Sequence, residues 1–197
     1  MKNAFTLSEV LVTLAIIGVV AAMTVPNLME NYQRQSFVTQ LRKIHSELSQ
    51  AAETAMSEGN TQRLFETPAM RSGTFLTNYF KTTKVCDDYA DCFGDGYTTL
   101  NGTAYSFEDL IATDASCAIV ASGYAICITG KSLITVDVNG KQQPNVLGRD
   151  LFIMEYKNDG TVTSVINPDS ATVDACKAGD YGECFAQILH DGWIMEY

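Results

Sequence analysis

Apolar and polar positions follow three regimes along the chain. From Phe5 to Met29 apolar residues run almost without a break: Val10 to Val25 holds no charge, Phe5 to Leu7 precede it, and Leu28-Met29 follow. That stretch is about long enough to cross a bilayer. From Tyr32 the run gives way to a helical period, with Phe37, Leu41, Ile44, Leu48, Ala51 or Ala52, and Ala55 recurring on one face. Gln35, Gln40, Arg42, Lys43, Glu47 and Glu53 lie between them, which is the pattern of an amphipathic helix. The two regimes predict one helix, apolar in its first half and amphipathic in its second, ending near Ser57-Glu58-Gly59-Asn60, where Gly and Asn suit a C-cap. From Phe5 to Ser57 such a helix would measure roughly 80 Å, more than a bilayer spans, so its second half needs a globular partner along one face.

The third regime, residues 60–197, reads as that partner. A short helix is predicted near Thr74–Thr82, and the segment 86–102 reads as a polar, Gly-rich loop. Strand-like runs follow at Cys117–Ala121, Tyr124–Thr129, Leu133–Val138, Asp150–Lys157 and Thr161–Ile166. Asn158-Asp159-Gly160 marks a hairpin turn, and Ser122-Gly123 joins the first two strands. In the tail, Phe185, Ile188 and Leu189 stand at helical spacing with Gly192 as a stop. The fold class expected is α+β: a long N-terminal helix packed against an antiparallel sheet of four or so strands.

Two residues break the apolar regime. Glu9 places a carboxylate near its start, where insertion into hydrocarbon costs ~2.5–3.5 kcal/mol. An acid in a helix's first turn also compensates the macrodipole. Pro26 removes one helix hydrogen bond, so it predicts a kink or a loosened turn, or marks where an apolar span ends and an ordinary helix begins.

Charge and cysteine content narrow the setting. A formal net charge of −10 argues against phosphate backbones or anionic headgroups as main partners, so no direct nucleic-acid binding is expected. The six cysteines are Cys86, Cys92, Cys117, Cys127, Cys176 and Cys184; all lie beyond the N-terminal helix and read as disulfides of an oxidising compartment. No C-x-x-C pair occurs, and His45 and His190 lie far from any pair of cysteines, which disfavours zinc. Short closable loops and the hairpin predict the pairs Cys86–Cys92, Cys117–Cys127 and Cys176–Cys184. No G-x-S-x-G, phosphate loop or paired-carboxylate context is present, and bridged cysteines cannot act as nucleophiles, so the chain is not expected to be an enzyme.

An ordinary secretory signal fits the N-terminus poorly. Lys2 and the initiator amine make a thin basic region, and a cut at Ala21-Ala22-Met23 would be followed by Thr24-Val25-Pro26. Instead "AFTLSEVLVTLAIIGVVAA" followed by Pro26 resembles the class III signal and N-terminal helix of type IV pilins and pseudopilins. That resemblance implies a leader at residues 1–4, removed by a prepilin peptidase between Ala4 and Phe5, and methylation of the new Phe5 amine. It implies a membrane-spanning and filament-core helix at 5–29, an amphipathic continuation at 30–59 and a globular head at 60–197. Glu9 would then pair with the Phe5 ammonium of a neighbouring subunit and register assembly, an arrangement less costly than a lone buried carboxylate. Family members usually carry Gly before the cut, where this chain has Ala4.

The expected partners are other pilin subunits, the prepilin peptidase, an inner-membrane assembly platform, and membrane lipid before assembly. The expected location is the bacterial inner membrane, as a single-pass precursor with the head outside the cytoplasm, and then the filament. Three functions share these features: a major or minor pilus subunit, a pseudopilin of a type II secretion system, and a membrane-anchored binding module that never polymerises. A head of about 140 residues with several cysteines leans toward the pilus subunit.

One further segment, "DVNGKQQPNVLGRD" at 137–150, gathers Asp137, Asn139, Asn145 and Asp150 on a Gly/Pro-containing loop between strands. Hard oxygens on such a loop suit a structural calcium ion, the one cofactor considered. D-x-N-G is also an ordinary turn, and the twelfth position of an EF-hand count is Gly148, so a plain connecting loop is the alternative.

Overall fold

The computed structural model describes residues 6–106, 111, 115–130 and 132–197. Helix α1 runs Leu7–Glu58 and is unbroken through Pro26. The chain divides after Ser36 into two units. In the first, the side chains of Leu7, Leu14, Ile17, Met23 and Leu28 are all exposed, because a helix that is apolar on every side has no polar face to turn outward.

The second unit, Phe37–Tyr197, begins with the amphipathic part of α1. Phe37, Leu41, Ile44, Leu48, Ala51, Ala52 and Ala55 are buried, with Leu41, Leu48 and Ala52 wholly so. Their spacing of three and four residues keeps them on one side of a helix with 3.6 residues per turn. A 3₁₀ turn at Leu64–Glu66 leads to the short helices α2, Pro68–Ser72, and α3, Phe75–Tyr79. Thr67 caps α2 by accepting from the Met70 N–H, and Pro68 occupies its first turn, where a missing N–H costs nothing.

Six strands follow: β1 Thr82–Cys86, β2 Ser116–Val120, β3 Ala125–Thr129, β4 Leu133–Asp137, β5 Leu151–Tyr156 and β6 Val162–Thr163. They form one sheet in the order β1-β2-β3-β4-β5-β6, every neighbouring pair antiparallel. The sheet is wider than the four or so strands expected from the sequence. β1 begins at Thr82, where the predicted helix ends, in a stretch for which no element is predicted: α3 stops at Tyr79, and the β-branched residues Thr82, Thr83 and Val85 favour an extended edge. β6 is only two residues long, shorter than the run Thr161–Ile166 suggested.

The central strands of the sheet are buried on both faces. Ala118, Ile126, Ile128, Ile134, Val136, Phe152 and Met154 join the buried face of α1 in one core. On the opposite face Cys117, Ala125, Cys127, Leu151 and Ile153 lie with Phe93, Tyr97 and Leu147 from the loops. The alternation of Ala125 and Cys127 against Ile126 and Ile128 is the period of two of a strand. Hydrogen bonds fasten α1 to the sheet: the Tyr156 hydroxyl donates to the Leu48 carbonyl at 2.9 Å, and the Tyr124 hydroxyl to Glu47 Oε2 at 2.8 Å. The tail forms α4, Val173–Ala178, and α5, Glu183–His190. Phe185 and Ile188 enter the α1 core, while the Trp193 ring meets His45 edge-on at 5.2 Å.

Candidate functional site

Two features concentrate functional chemistry: the start of α1, and the loops that cover the outer face of the sheet. Ala4 and Phe5 lie outside the described residues. From Thr6 onward the chain builds a reciprocal cap. Glu9 Oε2 accepts from the Thr6 N–H and from the Thr6 hydroxyl, each at 2.8 Å, and the Glu9 N–H donates back to Thr6 Oγ1 at 3.3 Å. This is a capping box, in which the acid three residues after a Thr N-cap satisfies a backbone donor that the helix itself leaves orphaned. The sequence reading gave Glu9 a role and overlooked Thr6, although Thr6-Leu7-Ser8-Glu9 ahead of an apolar run is the written form of that box.

Beyond the cap, the two threonine hydroxyls of the apolar stretch are internally satisfied. The Thr13 hydroxyl donates to the Val10 carbonyl at 2.9 Å and that of Thr24 to the Val20 carbonyl at 3.0 Å. A chain segment with no water around it requires that arrangement. Glu30 and Arg34 then pair at 2.7 Å, one helical turn apart, where charged residues resume. α1 contains a stretch long and apolar enough to span a membrane, and none of it is buried.

In the head, three disulfides join Cys86–Cys92, Cys117–Cys127 and Cys176–Cys184 and leave no free cysteine. These are the pairs that short loops and the hairpin predict. The first closes the loop after β1, the second links β2 to β3, and the third ties α4 to α5.

The 137–150 loop connects β4 to β5 and does bring Asp137, Asn139, Asn145 and Asp150 together. Asp137 and Asp150 are fully buried. Asp137 Oδ1 accepts from the Asn139 N–H at 3.1 Å, and its Oδ2 accepts from the Tyr97 hydroxyl. Asp150 takes the N–H groups of Asn145 at 2.8 Å and Val146 at 2.6 Å, one on each oxygen. Asn145 Nδ2 donates to the Asp95 carbonyl and Lys141 Nζ to that of Ala90, so the loop is fastened to the 86–102 segment as well. The side-chain oxygens of Asn139 and Asn145 are buried without a hydrogen-bond partner. Among the described residues no group of three or more His, Cys, Asp or Glu is arranged to hold a metal. Tyr97, forty residues from Asp137 in sequence, is the member of this cluster that sequence reasoning missed; nothing local announces the pairing.

Burial, reinforced by the neighbouring Asp150 charge, pushes the Asp137 carboxyl up to about 8. Burial raises Asp150 as well. Folded, Asp137 thus keeps its proton to about pH 8, whereas the unfolded group loses it near 3.8. The native state binds more protons across that interval, so this group makes stability fall as pH rises from about 4 to about 8. His45, whose pKa is lowered by burial below 6.5, works the other way in the acid part of the range. Comparing the wild type with Asp137→Asn isolates the carboxyl. The variant is expected to lose less melting temperature between pH 5 and pH 8 than the wild type, and parallel curves would show that Asp137 is already ionised in the fold.

Residues 1–25 match the prokaryotic N-terminal methylation motif, the signature of type IV pilins and pseudopilins. Together with the long helix and the six-stranded sheet, the motif gives the chain a pilin-like α+β architecture and points to a structural protein rather than an enzyme. No curated protein and no solved structure matched the chain.

Proposed function

We propose that this chain is a subunit of a type IV pilus-like filament, held in the membrane by the first half of α1 until it polymerises through that same segment. The observation that carries the reading is the coincidence of the methylation motif with a helix whose side chains from Leu7 to Met29 are uncovered on all sides. A surface of that kind is stable in lipid, or against the equivalent helices of other copies, and in little else. The disulfide-bridged head suits a building block. The 137–150 loop serves that head as a hydrogen-bonded connector, since each oxygen of Asp137 and Asp150 already accepts a donor.

Processing tests the reading most directly. Mass spectrometry of protein from cells carrying a prepilin peptidase is expected to find a chain that begins at Phe5 with a methylated amine. A mature terminus after Ala22 or Met23 would mean ordinary signal cleavage and would remove the helix on which the proposal stands. A pseudopilin of a type II secretion system would pass the same test, and the neighbouring genes separate the two: assembly and retraction ATPases beside a pilus subunit, secretin-system genes beside a pseudopilin.

A further inference from the structure

Three cysteines stand side by side across the sheet. Cys117 on β2 is the register partner of both Cys86 on β1 and Cys127 on β3. Opposed residues of antiparallel strands turn their side chains to the same face, with Cα atoms roughly 4.5–5.5 Å apart. A disulfide needs a Cα separation of about 4.4–6.8 Å, so each neighbouring pair in this row is within bridging range. All three belong, with Cys92, to the buried cluster on the outer face of the sheet. Cys127, in contrast, is two strand spacings from Cys86, roughly 9–10 Å, which no disulfide spans. Cys117 is therefore the one cysteine of the row within bridging range of both of the others.

We propose that Cys86, Cys117 and Cys127 form a thiol–disulfide exchange row, in which a thiolate freed at Cys117 moves the bridge of Cys86 from its own loop onto the β1–β2 pair. The row is set in motion when a dithiol reduces Cys117–Cys127 and is itself oxidised to a disulfide. The Cys117 thiolate then attacks Cys86 Sγ; the Cys86–Cys117 bond forms, the Cys86–Cys92 bond breaks, and Cys92 leaves as a thiolate that takes up the proton Cys117 gave away. That second step consumes no electrons. Its structural consequence is an exchange of one constraint for another. The loop through Asp87 and Asp91 loses its closure, while β1, an edge strand whose Thr83, Lys84 and Val85 are exposed, becomes covalently fixed to the sheet.

Two single variants of the full chain in detergent distinguish this row from chance scrambling. Cys127→Ser leaves Cys117 as the free thiol, and peptide mapping after acid quench and alkylation is expected to find both Cys86–Cys92 and Cys86–Cys117, with Cys92 alkylated in the second form. Cys117→Ser leaves Cys127 free instead, and only Cys86–Cys92 is expected, because the thiol is one strand too far away. Retention of Cys86–Cys92 alone in Cys127→Ser would overturn the proposal. Equal scrambling in both variants would overturn it too, since exchange would then follow unfolding rather than register. Should Cys127→Ser not fold, stepwise reduction of the wild type with dithiothreitol gives the same answer. A partly reduced species holding Cys86–Cys117, with Cys92 and Cys127 alkylated, is expected, and its absence at every step refutes the row.

Discussion

Replacing Glu9 with leucine is expected to leave processed protein in the membrane at wild-type levels and to remove it from the filament fraction sheared from cells. For a simple anchor the change would be harmless or helpful, because it deletes an insertion penalty of ~2.5–3.5 kcal/mol. For a filament subunit it strands the Phe5 ammonium of a neighbour in a low-dielectric core, where losing one side of a buried pair costs ~3–5 kcal/mol. The capping box complicates this contrast, since Glu9→Leu also frees the Thr6 N–H, at a cost of about 1 kcal/mol to the helix start. Glu9→Gln separates the two effects. Glutamine at the same position can close a capping box but carries no charge. Loss of surface filaments in both variants would show that the charge is what assembly uses. If Glu9→Gln assembles like the wild type, the carboxylate acts only as a cap, and charge pairing drops out of the proposed function.

Gly148→Ala is expected to destabilise the head strongly for a change of one methyl group. Gly148 has φ +86, and a Cβ there would collide with Cys184 Sγ and lie 3.3 Å from Cys176 Sγ, against the third disulfide. Left-handed backbone in an alanine costs roughly 1–2 kcal/mol and overpacking of this kind about 1–3. The sum, about 2–5 kcal/mol, corresponds to a melting-temperature loss of roughly 5–20 °C for a head of this size. Gly102 provides the control: its φ is +80, but a Cβ there meets nothing within 4 Å, so Gly102→Ala carries the backbone strain without the clash. Thermal melts of the two full-length variants should differ by several degrees. Equal losses would mean that the loop shifts away from the disulfide at little cost. The Tyr197 hydroxyl, which bonds the carbonyls of both Gly148 and Cys184, is what we expect to resist that shift.

What the sequence reveals here depends on how local the cause is. The buried face of α1 is legible to the residue because burial follows a fixed helical period, and the cysteine pairs because short loops have few partners to choose from. β1 is not legible: Thr82–Cys86 is five residues long, mostly exposed, and held in place by its register with β2, thirty residues on. Short helices such as α2 and α4 lack the length for a periodic signal, though their Thr67 and Thr172 caps were there to be read. At the head loop, the oxygens of Asp137, Asn139, Asn145 and Asp150 could be collected from the sequence, but their occupancy could not. Whether a carboxylate is open to a cation depends on which distant donors reach it, and Tyr97 does so only once the sheet is formed. The Thr6–Glu9 box is the opposite case, a local motif that the stronger question of a charge in hydrocarbon obscured.

The unbranched strand order β1 to β6 also bears on how the head is made. Each strand pairs with the one synthesised just before it, so the sheet can zip together strand by strand, and no strand must be inserted between two others. Docking of the helix has a different tempo. The carbonyl of Leu48 waits for Tyr156, 108 residues later, and His45 waits for the carbonyl of Val162, 117 residues later. Closing loops of that length is entropically dearer than forming a hairpin, so these fastenings cost more to close than the strand pairs do. The helix synthesised first thus completes its packing in the head only with residues made after the sheet strands, Phe185 and Ile188 among them. Until then part of the apolar face between Phe37 and Ala55 lacks its full cover.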